Sequence, residues 1–302
     1  MKTILSTILF FFVFSLGHSQ QYSKCWKDID YVGDGLIGHK VDVYLPQTEK
    51  PSYPAVVVIY GSAWFSNRSK GADMKSLGQA LLDAGYVVVM PNHRASSEAQ
   101  FPAQLHDIKA VVRFIRGLAD TFRIDTSFIG ITGSSSGGSL AAIMGTSRNV
   151  RSMTMGNFTV DIEGSLGKYT SFSSSVDAVV DWFGPTNMLV MDSCGGTDFI
   201  HNDAKSPASL YIGGPIQENK EKTLLASSTT YADPSDPPFL IFHGDADRVV
   251  PYCQSQILYD ALQKNRVASQ FFLIPAGQHG PGVHTAENIQ KMVDFFNQSR
   301  KR

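Results

Sequence analysis

The sequence predicts an α/β fold, a doubly wound and mostly parallel sheet flanked by helices. Short apolar runs of strand length recur at residues 55–60, 86–90, 128–132, 176–180 and 239–242, and continuous runs of this kind suit strands buried on both faces. Between them lie stretches with helical spacing, such as Ile108, Val111, Val112 and Ile115. Strands and helices alternate along most of the chain without an internal repeat or a linker, which argues for one sheet in one domain.

Residues 1–19 stand outside that pattern. Lys2 gives a positive start, residues 8–14 are an apolar run, and Gly17-His18-Ser19 places small residues at −3 and −1 of a cleavage site. The run is short for a membrane-spanning helix, so a signal peptide, export to the periplasm or medium, and a mature domain over 20–302 are expected. Residues 41–45 alternate as a strand does, and 55–60 form the first buried strand. A short helix over 76–84 stops at Gly85, and Pro91 closes the strand at 86–90. A helix is expected over 103–122, and the strand at 128–132 leads into a Gly/Ser-rich turn. Residues 148–175 are polar, Gly/Ser-rich and aperiodic, and read as a long loop or cap insertion over one end of the sheet. Two more core strands lie at 176–180 and 239–242, the second entered through the stiff Asp233-Pro-Ser-Asp-Pro-Pro238 turn. A helix at 255–262, a strand at 270–274 and a helix at 285–296 complete the pattern.

The 302 residues are 43% hydrophobic and 18% charged, with a formal net charge of −1. That composition is globular, and its charge balance points to neither nucleic acid nor an anionic membrane surface as partner. Three cysteines, Cys25, Cys194 and Cys253, allow one disulfide in an oxidising compartment, and the sequence does not choose the pair. The chain has no CxxC, no HExxH and no paired His/Cys ligand spacing, so neither a metal nor an organic cofactor is expected. N-x-S/T sequons occur at Asn67, Asn157 and Asn297.

The chemistry centres on Gly133-Ser134-Ser135-Ser136-Gly137, at a strand-to-helix turn. Of the three serines only Ser135 has glycine at both −2 and +2, the pattern of a nucleophile elbow. A serine hydroxyl needs a base to take its proton, and a histidine serves if a carboxylate fixes its tautomer. The acid candidates are Asp245 and Asp247, in the loop after the strand at 239–242. Asp247 is favoured, with Asp245 ordering the turn. The base candidate is His279, after the last strand, with His284 as its rival. His243 reads as structural, and His39 and His106 lack a comparable setting. An oxyanion hole needs backbone amides aimed at developing charge. Ser136, at the start of the following helix, supplies one, and Ser62 and Ala63, after the first buried strand, are the other candidates. Trp64 is a candidate substrate-binding wall or a core residue.

Taken together, these segments resemble the α/β-hydrolase superfamily, in its esterase/lipase group, whose triads run in the order Ser…Asp…His. The chain is most similar to secreted bifunctional feruloyl and acetyl-xylan esterases. The likeness extends through Phe101-Pro-Ala-Gln-Leu-His-Asp107, Val179-Val-Asp-Trp-Phe-Gly-Pro-Thr186, Ser206-Pro-Ala-Ser-Leu-Tyr-Ile-Gly-Gly214 and Asp236-Pro-Pro-Phe-Leu-Ile-Phe-His-Gly-Asp-Ala-Asp247, and covers roughly residues 40–298. It implies an α/β-hydrolase fold, Ser135 as nucleophile, Asp247 as acid and His279 as base. The activity it implies is hydrolysis of carboxylic esters, with a small ester or an esterified carbohydrate as substrate. Two departures stand out. Tyr60-Gly-Ser-Ala-Trp64 replaces the family's His-Gly-Gly-Gly/Ala-Trp and puts a Cβ at position 62. Ser135-Ser-Gly-Gly138 replaces Ser-Ala-Gly-Gly. The other readings of the same residues are a general carboxylesterase or lipase, a prolyl-oligopeptidase-like serine peptidase, and a non-catalytic hydrolase-fold binding protein.

Overall fold

A computed structural model describes residues 22–301. The signal sequence expected at 1–19 lies outside the described residues. The strands are β1 (Lys24–Asp30), β2 (Lys40–Leu45), β3 (Tyr53–Ile59), β4 (Val87–Pro91), β5 (Ile124–Ser134), β6 (Ser152–Met155), β7 (Phe158–Asp161), β8 (Ala178–Trp182), β9 (Phe239–Gly244) and β10 (Ser269–Ile274). The α-helices are α1 (Gln79–Asp83), α2 (Ala103–Gly117), α3 (Ala119–Phe122), α4 (Ser136–Thr146), α5 (Met191–Cys194), α6 (Pro207–Ile212), α7 (Lys220–Leu225), α8 (Cys253–Lys264) and α9 (Ala286–Ser299).

Eight strands form one sheet in the order β1-β2-β4-β3-β5-β8-β9-β10. Pairing is antiparallel from β1 to β2 and from β2 to β4, and parallel from there to β10. The doubly wound, mostly parallel sheet expected from the sequence is therefore present. Every residue of β3, β4, β8 and β9 is buried, as continuous Val/Ile/Phe runs require when helices cover both faces. One apolar cluster gathers Ile59, Val89, Ile108, Ile131, Leu140 and Val179 on one side of the sheet. A second gathers Val58, Leu81, Val88, Trp182, Phe242 and Phe296 on the other.

Three local expectations change. β1 escaped notice because Lys-Cys-Trp-Lys-Asp-Ile-Asp is a half-exposed edge strand, which needs no apolar run. The helix expected over 103–122 breaks at Leu118 into α2 and α3. The ring of Tyr169 packs there so closely that a Cβ at Gly117 would meet it at 2.1 Å. Residues 148–175, expected as an aperiodic loop, contain the β6–β7 hairpin. Just after it, Glu163 is gripped from α2 by the buried Lys109 (3.1 Å) and Arg113 (2.6 Å).

Elsewhere, the fully buried Asp107 of α2 takes Arg94 at 2.6 Å and His39 at 3.2 Å, and the other nitrogen of His39 takes Asp34 at 2.8 Å. This network fastens the β1–β2 turn to the end of β4. Cys194 and Cys253 form a disulfide between the end of α5 and the start of α8, and Cys25 is free.

Candidate active site

The carboxyl ends of the parallel strands all open on the same edge of the sheet, where loops of such folds carry chemistry. Ser135 follows β5 directly, at φ 56° and ψ −122°, a conformation few side-chain-bearing residues adopt. The glycines around it are sterically obligatory. A Cβ at Gly133 would lie 2.4 Å from the Gly137 carbonyl oxygen, and one at Gly137 would lie 2.2 Å from the Ile59 carbonyl oxygen. The Ser135 amide donates to the Trp182 carbonyl at 2.9 Å, which fixes the turn against β8. Strand, turn and helix thus press together and lift the Ser135 side chain out of the packing.

His279, in the loop after β10, lies with Nε2 2.9 Å from Ser135 Oγ and Nδ1 2.7 Å from Asp247 Oδ2. A carboxylate only accepts, so Nδ1 carries the hydrogen and Nε2 is left to accept the Ser135 hydroxyl proton. Asp247, in the loop after β9, is buried, and burial alone would raise its pKa. Hydrogen bonds from His243 and His279, the His279 charge and the Val250 amide outweigh that, and hold the carboxyl far below the usual carboxylate range. Its Oδ1 accepts the Val249 and Val250 amides at 2.8 and 3.0 Å. His243 touches Oδ2 at 3.3 Å while its own nitrogens reach Ser255 Oγ and the Val250 carbonyl, so it braces the acid.

The rival candidates sit elsewhere. Asp245 accepts the Ala276 amide at 2.7 Å and orders the turn. His284 lies 3.4 Å from Ser134 Oγ and packs on Trp182 and Phe183. Burial, aided by repulsion from His279, lowers its pKa to about 4 and keeps it neutral. His106 reaches the Asp161 carbonyl.

At the oxyanion loop the structure corrects one expectation. The Ser62 amide is already engaged, donating to Ser136 Oγ at 2.9 Å, and the Ser62 hydroxyl turns away to accept the Ser66 amide. Ser62 is therefore not a free donor, because the extra hydroxyl at position 136 captures its N–H. The two departures from the family pattern are thus in contact with each other. Ala63 and Trp64 follow with φ of 52° and 59°, two successive left-handed non-glycine residues of the kind functional loops hold under strain. Their amides take no acceptor among the described residues. Ala63, Trp64 and Ser136, the last at the first turn of α4, line the same cavity as Ser135. The Trp64 amide was not foreseen, since only the backbone geometry identifies it.

A cavity of about 680 Å³ opens beside Ser135, with Ala63 and Ser136 also on its surface. Its walls are mainly apolar: Trp64, Phe65, Met191, Phe199, Ile200 and Val249. Trp64 lines the cavity and is also buried, stacked on Tyr211 at 4.3 Å. No residue from 148–175 lines the cavity. The wall comes instead from Pro185 to Ala208, a stretch that includes α5 and the Cys194 end of the disulfide.

The BD-FAE family profile matches residues 41–262. The chain belongs to the BD-FAE family. This BD-FAE chain is 44% identical to a truncated form of a carbohydrate esterase from gut microbiota, over 94% of this chain and 98% of that one, with a TM-score of 0.90. It is 49% identical to a bifunctional GH43-CE protein of Bacteroides eggerthii, over 91% of this chain and 35% of that one, with a TM-score of 0.87. It is also 24% identical to Esterase LipQ of Mycobacterium tuberculosis, over 87% of this chain. The chain spans 59% of the length of LipQ and 60% of that of Esterase LipC from the same organism.

Beneath the elbow of this BD-FAE chain lies Asp181, fully buried on β8. Its Oδ1 accepts the Gly184 amide at 3.0 Å, and Oδ2 has no partner among the described residues. Burial raises its pKa from 3.8 to about 7, with the Gly184 amide opposing. Between these values the folded state keeps a proton the unfolded chain has released. The contribution of Asp181 to stability is therefore greatest below pH 3.8 and is lost as the pH rises through about 7. Asp181→Asn should remove this decline. Denaturant unfolding should find the variant gaining on the parent by about 3 kcal/mol between pH 5 and pH 8. An equal difference at the two pH values would refute the assignment.

Proposed function

We propose that this chain is a secreted serine esterase that hydrolyses carboxylic esters through an acyl-serine intermediate. The observation that carries the reading is the continuous Ser135–His279–Asp247 chain, at 2.9 and 2.7 Å, at the edge of an apolar cavity. Ser135 Oγ attacks the ester carbonyl carbon as its proton passes to His279 Nε2, and Asp247 stabilises the imidazolium that forms. The amides of Ser136, Ala63 and Trp64 hold the oxyanion. The tetrahedral adduct collapses, the C–O bond to the alcohol breaks, and His279 returns its proton to the leaving oxygen. Water then gives a proton to the same nitrogen as its oxygen attacks the acyl-serine carbonyl, the bond to Ser135 Oγ breaks, the acid leaves, and His279 returns that proton to Ser135 Oγ.

His279 must reach the leaving oxygen, yet it is not among the residues that line the cavity. The alcohol accordingly lies on the His279 side and the acyl group fills the cavity. Walls of Trp64, Phe65, Phe199 and Ile200 suit an aromatic or other apolar acyl group, and a feruloyl ester of hemicellulose fits that description. Acetyl esters would use only its mouth. The likeness to carbohydrate esterases supports the carbohydrate side of the substrate. The N-terminal pattern and the Cys194–Cys253 disulfide support export.

The test is a panel of p-nitrophenyl acetate, p-nitrophenyl hexanoate, methyl ferulate, acetylated xylan and a chromogenic peptide. The hexanoate should exceed the acetate in kcat/KM, methyl ferulate should be hydrolysed, and the peptide should be inert. Cleavage of the peptide with no turnover of any ester would sink the reading.

A further inference from the structure

We propose that a second cavity, across the catalytic-acid loop from the acyl cavity, is a subsite for a neutral sugar unit of the glycan whose ester is cleaved. The inference rests on the esterase reading for its place in catalysis, but its ligand is testable without turnover. The cavity has a volume of about 340 Å³, within the range of small-ligand sites. Asp245, Arg248 and Tyr252 supply its side-chain chemistry, and Gly195 and Gly196 leave the other wall bare. The Cys194–Cys253 disulfide ties that wall to the start of α8.

Its chemistry differs from that of the acyl cavity. The Tyr252 side chain is 45% exposed, and its hydroxyl has no partner among the described residues. Asp245 gives Oδ1 to the Ala276 amide, and its Oδ2 has no partner among the described residues. Arg248 directs Nε and Nη2 at Asp198 Oδ1, and its remaining N–H groups are unpaired among the described residues. A sugar ring offers apolar C–H faces to an aromatic plane and an edge of hydroxyls that both donate and accept. Tyr252, Asp245 and Arg248 match those two demands. The charge balance selects against an anion. Arg248 is the one cation of the lining and is already paired with Asp198, while Asp245 adds a negative charge beside it. A phosphate or a uronate would therefore meet no net positive charge, and a neutral polyhydroxylated ligand needs none.

The place of the cavity relative to the triad follows from the loop after β9. Asp247 belongs to its lining, and the carboxylate of Asp247 holds His279 at 2.7 Å. Val249 and Val250, further along the same loop, line the acyl cavity instead. The acid loop thus divides the two cavities. The Asp198 amide donates to the Arg248 carbonyl at 2.9 Å and closes the strap between them. An ester bound with its acyl group in the first cavity has its alcohol beside His279. The sugars adjoining that alcohol then run over the acid loop toward Tyr252. A p-nitrophenyl ester has no such extension and ends short of the cavity.

The experiment titrates the parent, Tyr252→Ala and Tyr252→Phe with xylotetraose, which carries no ester, by isothermal calorimetry. The parent should bind it, Tyr252→Ala should bind about tenfold more weakly, the scale of one aromatic contact, and Tyr252→Phe should stay within about twofold of the parent. Turnover gives a second readout, the ratio of kcat/KM on acetylated xylo-oligosaccharides to kcat/KM on p-nitrophenyl acetate. That ratio should fall about tenfold in Tyr252→Ala, and any loss of folded protein cancels from it. No binding by the parent, equal binding by Tyr252→Ala, a Tyr252→Phe variant as weak as Tyr252→Ala, or an unchanged ratio would each overturn the proposal. If no ester is turned over, the esterase reading fails while the titration still decides the cavity.

Discussion

Ser135→Ala should lose about 10⁴-fold or more in kcat on p-nitrophenyl acetate, because the triad acts as a unit and removing the nucleophile leaves only the oxyanion donors and the cavity. The melting temperature should change little. Ser135 is half-buried and, among the described residues, its side chain bonds only His279, so the substitution empties no core and strands no donor. The local backbone strain at φ 56° is present with either side chain. A phosphonate ester should label the parent at Ser135 and leave the variant unlabelled, as read by mass spectrometry. The neighbours make this a demanding test. Ser134 and Ser136 are buried, and they face His284 and the Ser62 amide respectively, away from His279. A phosphonate adduct that persists in Ser135→Ala, or retained turnover, would place the nucleophile elsewhere.

How much of this was legible in the sequence depends on whether a feature is encoded locally. The elbow was legible because its glycines answer clashes within five residues: Gly133 and Gly137 flank the turn, and their absent side chains are what lets β5 and α4 meet. The buried strands were legible because a strand covered on both faces must be apolar throughout. The loops after β9 and β10 could be ordered along the chain, and sheet topology then brings Asp247 to His279 across 32 residues. Features set by distant partners were not legible. The Ser62 amide is taken by a hydroxyl 74 residues away. The pairing of Cys194 with Cys253 spans 59 residues, and Cys25 was an equal candidate until the fold separated them. The cavity wall from 185 to 208 is built of short helices and turns without periodicity, so nothing in its pattern marked it as the lid of the site rather than 148–175.

Asp247→Asn should cost about 10⁴-fold in kcat while Asp245→Asn stays within a few-fold, and the contrast tests the acid assignment that the sequence alone left between two residues. The size of the loss follows from hydrogen-bond polarity. Oδ1 of Asp247 accepts the Val249 and Val250 amides, so an amide side chain at that position must keep its oxygen there. Its NH₂ group is then directed at His279 Nδ1, where Oδ2 now lies at 2.7 Å. Nδ1 must accept, the ring hydrogen moves to Nε2, and that nitrogen can no longer take the proton of Ser135. The NH₂ group also meets His243 Nε2, which donates to the Val250 carbonyl, so two donors face each other in a buried place. The variant should therefore lose stability as well as rate. Asp245 differs because, among the described residues, its carboxylate accepts only the Ala276 amide on an exposed turn, and an asparagine oxygen performs that service. The discriminating measurement is kcat on p-nitrophenyl acetate for both variants, with thermal unfolding alongside. Comparable losses in the two, or a larger loss in Asp245→Asn, would reverse the assignment.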